Sequence, residues 1–261
     1  MKKNLKWKTI FLLGGLLALI GVGMFFFYNS WRSYHMGQLN VTFIEGLAPY
    51  LAPYDIGPYM ATYDTWEDLP PPRIIRQEFL DLRQQYGNNN IVGHLWIEGT
   101  TIDYIVVQGS DNEFYLYHDI FHNPSVGGWI FLDYEVNLAG EDQNTVIYGH
   151  NMNDRIKFHD IRFFADYDFF RNHPIINFRT IYEDTKWEVF AFYSAHISVP
   201  YTHINLETTE QWALLQEMFH QASRFDTGIR LTPEDRVLTL STCTNTNVDT
   251  RFVLQARLIE S

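Results

Sequence analysis

Cysteine is nearly absent from this chain, because Cys243 is the only one in 261 residues. A lone thiol has no partner for an intramolecular disulfide, so a disulfide framework is excluded. The chain also lacks a phosphate-cradling glycine loop, an internal repeat and a low-complexity tract. Its length instead suits one domain with a single hydrophobic core after the N-terminal segments.

Positive charge is scarce beyond the N-terminus. The first 35 residues hold five Lys or Arg and no acid, whereas the rest of the chain holds 14 Lys or Arg against 31 Asp or Glu. This acidic balance argues against nucleic acid and anionic lipid as partners. It suits a domain that is soluble outside the cell, and it is compatible with a basic peptide ligand.

The chain contains a single long hydrophobic run, near its N-terminus. Residues 9–28 carry no charge, and four lysines precede them within residues 1–8. Twenty helical residues span about 30 Å, and the lysines predict a cytoplasmic N-terminus. A cleaved signal peptide is the alternative, but it would end in small residues, whereas this run ends in bulky ones. We therefore expect a cytoplasmic segment at 1–8, an uncleaved single-pass anchor at 9–28, and an extracellular remainder.

Proline marks the segment that follows. Residues 29–73 contain Pro53, Pro58 and the run Pro70–Pro72, which predict an extended extracellular stalk. Apolar residues at helical spacing then predict a helix from Arg73 to Tyr86, ended by the glycine that follows. A second helix is predicted over Thr208–Phe225, where apolar residues share one face.

Alternating patterns rich in β-formers dominate the rest of the chain. Residues 110–126 indicate a loop or short helix, and residues 155–170 are ambiguous. The fold class predicted is mainly β with peripheral helices, built as a closed or nearly closed barrel of about eight strands. The predicted strands are Ile91–Ile97, Thr101–Val107, Trp129–Leu132, Asn144–Tyr148, Ile175–Ile181, Lys186–His196, Val237–Thr242 and Arg251–Ile259.

Cys243 stands at the end of one predicted strand, and Arg251 opens the next. If these strands form a hairpin, Arg251 lies beside Cys243, where its guanidinium favours the thiolate and can hold an oxyanion. The ordinary alternative is a cysteine that only packs in a core. Its position at a strand end, its polar neighbours and its expected extracellular location favour a reactive thiol.

A thiol needs a base or a cationic partner, and His150 is the best-placed histidine. It follows a predicted strand as Cys243 does, and Gly149 before it permits a sharp turn. The rival pair is His118 and His122, which could bind a metal if helical. No carboxylate or third ligand has matching spacing, so neither a metal nor a cofactor is expected.

These residues resemble the motifs of a known family. Thr239–Cys243 resembles the TLxTC signature of sortases, the membrane-anchored cysteine transpeptidases of Gram-positive surfaces. Val146–Met152 is similar to the family's histidine motif, and Arg251 matches the family arginine. The helix before the cysteine strand, the helix near residues 74–86 and the segment Val107–Leu116 resemble class B, so residues 74–261 are expected to form a sortase-like catalytic domain.

The resemblance implies a mechanism. Cys243 would attack a Thr-Xaa bond in the sorting motif of a surface protein, and His150 would protonate the leaving amine. Arg251 and a backbone N–H near Thr244 would stabilise the oxyanion. An amine of peptidoglycan would then release the acyl group; a pilin amine is the alternative acceptor. Four residues are expected to contact substrate: Ser241, Tyr148, Thr242 and Thr244.

Some readings stay open. Tyr117 stands where the family often has a substrate-contacting asparagine, so that contact is not carried over. The segment between Cys243 and Arg251 is short, which affects the entrance to the site. A cysteine protease that hydrolyses the same motif, and a non-catalytic surface-binding module, are the competing functions.

Overall fold

The computed structural model describes residues 73–152, 154–244 and 249–260. The cytoplasmic segment, the anchor at 9–28 and nearly all of the stalk lie outside the described residues. Among the helices that are described, none is long and apolar enough to cross a membrane. The domain boundaries therefore stay predictions.

Eight strands close into a barrel in the order β1-β2-β3-β4-β7-β8-β6-β5. The pairs β2–β3 and β4–β7 are parallel, and the others are antiparallel. The predicted barrel is confirmed as closed and eight-stranded. The strands are β1 (Ile91–Trp96), β2 (Asp103–Gln108), β3 (Phe131–Leu132), β4 (Asn144–Tyr148), β5 (Ile175–Thr180), β6 (Asp184–His196), β7 (Val237–Cys243) and β8 (Thr250–Glu260).

The N-terminal helix α1 spans Gln77–Tyr86 and buries Phe79. The predicted start at Arg73 is wrong, because Arg76 is extended and its N–H donates to the carbonyl of Ile181. The N–H of Arg76 is thus bonded to the residue directly after β5, and the helix begins only at Gln77. The helix ends as predicted, at Gly87, whose left-handed φ of 61° favours glycine.

Short helices lie in the two segments for which the sequence pattern indicates no single structure, residues 110–126 and 155–170. Helix α2 (Phe114–Tyr117) lies in the predicted loop, and a 3₁₀-helix (His159–Ala165) followed by α3 (Tyr167–Asn172) accounts for the ambiguous region. The side chain of Asp166 caps α3 by accepting from the N–H of Phe169, as expected of an aspartate at that position.

Helix α4 (Thr209–Ala222) packs on the outside of the barrel before β7. It begins with a capping box between Thr208 and Gln211 and ends at Ala222, because Ser223 is extended, so the predicted end at Phe225 is wrong. Its buried face joins residues of β6, β7 and β8 in a second core cluster: Trp212, Leu215, Phe219, Phe190, Tyr193, Val237 and Val253.

Candidate active site

Cys243 is the last residue of β7, and Arg251 lies directly opposite it on β8. Opposed residues of an antiparallel pair place their side chains on the same face of the sheet, with Cβ atoms about 4.5–5.5 Å apart. The hairpin predicted from the sequence is therefore confirmed. Cys243 and Arg251 are both half-buried, so the sulfur is not sealed in the interior.

His150 reaches the same rim through the parallel pair β4–β7. The ladder matches Tyr148 with Ser241, and the N–H of Gly149 continues it by donating to the Ser241 carbonyl at 3.2 Å. Two steps beyond this register, His150 is level with Cys243. The three residues thus occupy the same end of three neighbouring strands, with Cys243 in the middle.

The imidazole of His150 is held by α2. Its Nε2 lies 2.9 Å from the carbonyl oxygen of Leu116. Because a carbonyl can only accept, Nε2 carries the proton and Nδ1 is the nitrogen left for proton transfer. The contact therefore selects one tautomer of a half-buried histidine.

The backbone after His150 is bound to the cysteine strand. Asn151 Nδ2 donates to the carbonyl oxygen of Cys243 at 2.9 Å, and the N–H of Phe158 donates to the His150 carbonyl. Gly149 is needed for close packing, since a Cβ there would collide with Ile130 and Phe158. Its φ is outside the left-handed region, so the glycine is required here by close packing and not by its backbone conformation.

Arg251 has a local hydrogen bond, from its Nη1 to the carbonyl oxygen of Thr250 at 3.1 Å. This contact turns part of the guanidinium toward its own backbone at the strand start. The planar group has five N–H donors, and this bond uses one of them.

Ser241 is buried on the same face of β7 as Cys243, two residues earlier. Its hydroxyl lies 3.1 Å from the hydroxyl of Tyr201, which belongs to the segment between β6 and α4. Burial raises the pKa of Tyr201, whereas the hydrogen bond with Ser241 and the charge of Arg251 act against that rise. The Tyr201 hydroxyl is therefore a neutral group close enough to sense the charge at the site.

Thr242 and Thr244 differ from Ser241 in their surroundings. Thr242 lies on the same face of β7 as Leu238 and Leu240, which are buried in the hydrophobic core, and its buried Oγ1 has no hydrogen-bond partner among the described residues. Thr244 is buried; its Oγ1 lies 2.6 Å from Oγ1 of Thr250, and its N–H donates to the Thr250 carbonyl at 3.3 Å. The structure does not bring the Thr242 side chain to the face that carries Cys243.

Tyr148 borders a cavity of about 540 Å³ beside the rim. Its hydroxyl donates to Asp133 Oδ2 at 2.8 Å. Burial and the Asp133 carboxylate raise the pKa of Tyr148, so the phenol stays protonated and acts as a donor. The cavity is lined by polar groups, among them Asn112, Glu135 and Thr202.

The remaining candidates lie in and after α2. Tyr117 is exposed, and His118 stacks on Phe114 with its Nδ1 on the Phe114 carbonyl. His122 contacts the hydroxyl of Tyr115 instead. No cluster of three or more potential metal ligands occurs in the part of the chain that the structure describes.

Three residues that support the site were not predicted from the sequence: Asn151, Tyr201 and Asp133. Asn151 carried a signal, since it directly follows His150 in the histidine motif. Tyr201 and Asp133 carried none, because their contacts with Ser241 and Tyr148 join segments that only the closed barrel brings together.

The chain is similar to known proteins over most of its length. The family model described as the Sortase domain matches residues 95–259. Sortase B of Listeria monocytogenes is 35% identical over 189 residues, covering 71% of this chain and 75% of the relative. Sortase B of Staphylococcus aureus is 29% identical over 188 residues, covering 71% and 76%.

Solved structures give the same result. The Staphylococcus aureus sortase B–substrate complex matches with a TM-score of 0.67 and 28% identity, covering 71% of this chain and 86% of that one. Sortase B of Clostridium perfringens matches with a TM-score of 0.65 and 32% identity, covering 70% of this chain and 100% of that one.

Proposed function

The chain belongs to the sortase family of cysteine transpeptidases, with class B members as its relatives, and we propose that Cys243, His150 and Arg251 are its catalytic residues. The observation that supports this assignment is the alignment of the three residues at one end of β4, β7 and β8. A nucleophile, a proton donor and a cation at one rim are the groups that acyl transfer through a thiol requires.

The first half-reaction is acylation. The Cys243 thiolate attacks the carbonyl carbon of a Thr-Xaa peptide bond, and a tetrahedral oxyanion forms. The C–N bond then breaks as the protonated imidazole of His150 gives the Nδ1 proton to the departing amine. Leu116 keeps the other proton on Nε2, so the imidazole is neutral when the thioacyl-enzyme has formed.

Arg251 acts on the oxyanion. The ladder places its guanidinium on the same face as the sulfur, where positive charge favours the thiolate first and the tetrahedral oxygen later. The backbone N–H of Thr244 would contribute only after leaving the Thr250 carbonyl that it contacts in this structure. Arg251 is therefore the main electrostatic contributor.

The second half-reaction is release to an amine. An incoming amine attacks the thioester carbonyl, its proton passes to Nδ1 of His150, and the Cys243 thiolate leaves. We propose an amine of peptidoglycan as the acceptor and surface proteins with a sorting motif as the acyl donors. A pilin amine is the second candidate. Ser241, Tyr148 and Thr244 would then support or contact the bound peptide near the nucleophile.

We propose that residues 9–28 anchor the enzyme in the cell membrane, with 1–8 in the cytoplasm and residues 74–261 as the extracellular catalytic domain. Four lysines before an uncharged run of twenty residues support this arrangement. It would hold the active site near newly exported substrates and the cell wall.

The test uses the chain from residue 30 onward with a library of fluorogenic sorting peptides. We expect cleavage by the wild type and none by Cys243→Ala, and we expect ligated product when triglycine is added. Cleavage without ligation would indicate a cysteine protease. Turnover by Cys243→Ala would show that the nucleophile is misassigned, and a Cys243 inert to a methanethiosulfonate reagent would favour a non-catalytic module.

A further inference from the structure

Lys157 is a buried cation with an unusual environment. The residue is 6% exposed, and its Nζ forms no hydrogen bond or ion pair with any residue in the described ranges. Its Nζ lies 3.6 Å from the ring centroid of Trp129 and 5.5 Å from that of Tyr104. The two rings, which we call the aromatic cage, provide the favourable contacts for this ammonium.

The backbone of Lys157 is held at the same place. Its N–H donates to the Tyr104 hydroxyl at 2.7 Å, and its φ of 62° is in the left-handed region, which lysine rarely adopts. A strained backbone persists only where surrounding contacts over-determine it. The cage and the Tyr104 hydroxyl are those contacts, so the position of Lys157 is tightly specified.

Lys157 is directly connected to the loop that carries His150. Lys157 and Asn151 form an antiparallel bridge, and the N–H of Phe158 donates to the His150 carbonyl at 2.9 Å. Asn151 in turn donates to the Cys243 carbonyl. A displacement of Lys157 would therefore shift the backbone of His150 and Asn151.

The other side of the cage is connected to the imidazole. The N–H of Trp129 donates to the carbonyl of Tyr115 at 2.8 Å, and the next carbonyl, that of Leu116, accepts from His150 Nε2. The cation–π contact thus joins the segment that holds the His150 backbone to the segment that holds its ring.

We propose that Lys157 is a positioning residue whose contact with Trp129 holds His150 in line with Cys243 during acyl transfer. This inference rests on the proposed function of His150, but it can be tested separately because it also predicts the reactivity of the thiol. Lys157 is proposed to act through His150, so we expect its effect on the rate of the chemical step.

The experiment is a double-mutant cycle with Lys157→Met and Trp129→Leu, measured as kcat and KM on a cleaved sorting peptide. Each single variant is expected to lower kcat about tenfold with KM within about twofold, and the double variant to lose little more than either one. Lys157→Arg should restore most of kcat, since a guanidinium also stacks on an indole face. Losses that multiply in the double variant would overturn the proposal.

A matched control is Arg171→Met, which removes a cation–π contact of the same kind, 5.7 Å above Tyr167, outside the site. Its kcat should equal that of the wild type. Thermal melting of every variant identifies those that do not fold, and the Lys157→Arg comparison remains informative if Lys157→Met is one of them. A purely structural role would lower melting temperature and leave kcat per folded molecule unchanged.

A second readout does not depend on turnover. The rate of Cys243 alkylation by iodoacetamide depends on a correctly placed imidazole, so Lys157→Met should change that rate and Lys157→Arg should restore it. If the wild type cleaves no peptide but Lys157→Met changes the alkylation rate and Lys157→Arg restores it, the proposed function fails while the positioning role stands. If alkylation rates are the same in all variants, the positioning role fails whatever the turnover.

Discussion

The two sides of Cys243 are built differently. Arg251 is placed by the regular β7–β8 ladder, in which seven consecutive residue pairs end at Cys243 and Arg251. His150 stands two residues beyond the end of β4, and side-chain and loop contacts hold it. The cation is thus positioned by the barrel ladder, while the proton donor depends on α2 and on the loop that follows β4. We expect the arginine side to be insensitive to distant changes and the histidine side to be adjustable.

The largest effect is expected from Arg251→Lys. The ladder still places a cation beside Cys243, but a point ammonium cannot reproduce the planar fork of a guanidinium. Loss of an oxyanion donor lowers kcat by about 10²–10³-fold, and we expect a decrease of that order, measured by peptide cleavage. The melting temperature should change little, because the side chain is half-buried at a strand end.

Two outcomes for Arg251→Lys would contradict the proposed role of the guanidinium. Kinetics like those of the wild type would remove Arg251 from the oxyanion role. A large decrease in melting temperature would mean instead that the guanidinium mainly supports the strand end.

The histidine side is probed by Asn151→Ala. The change removes the amide that donates to the Cys243 carbonyl and leaves that carbonyl without this donor. A hydrogen bond of this kind contributes about 0.5–1.5 kcal/mol, so we expect kcat to fall about three- to tenfold through misalignment of His150. Steady-state kinetics with a sorting peptide provide the measurement.

Thr185→Val is the matched control for Asn151→Ala. Thr185 donates to the carbonyl of Phe178 and accepts from Trp187 Nε1 at the opposite end of the barrel. Its loss should lower stability by at least as much as Asn151→Ala and leave kcat unchanged. Equal kcat losses in both variants would mean that general destabilisation, and not alignment, explains the Asn151 effect.

The same contrast decides what could be predicted from sequence. The pairing of Cys243 with Arg251 follows from two alternating segments and a short turn, which are local signals. The strand before His150, Asn144–Tyr148, is likewise predicted by its local pattern of β-forming residues. The contact that orients its ring crosses 34 residues, and the Asn151–Cys243 contact crosses 92. No periodicity encodes such contacts, because they arise only when the barrel closes.

The helices show the same limit at smaller scale. The helical face of α4 was evident from its spacing, but its end depends on the extended backbone of Ser223, which follows from packing on the barrel. The start of α1 was misplaced because the backbone of Arg76 bonds to Ile181, on a distant segment. The aromatic cage of Lys157 likewise joins three separate segments, and lysine in a polar loop gives no sign of burial.

A pH dependence of stability should also originate at Lys157. Burial lowers the pKa of Lys157 to about 8 in the folded chain, against the opposing charge of Asp119. Between about pH 8 and the unfolded value of 10.5, the unfolded state therefore binds more protons, and stability rises with pH through this group.

The cation contact with Trp129 weakens over the same interval, so kcat and stability should change in opposite directions. Thermal melting and kcat of the wild type and Lys157→Met from pH 7.5 to about pH 10 measure both quantities, and the difference between the two proteins isolates the contribution of Lys157. Identical pH profiles for the two proteins would show that Lys157 does not titrate in this range. The position of His150 would then be as insensitive to pH as that of Arg251.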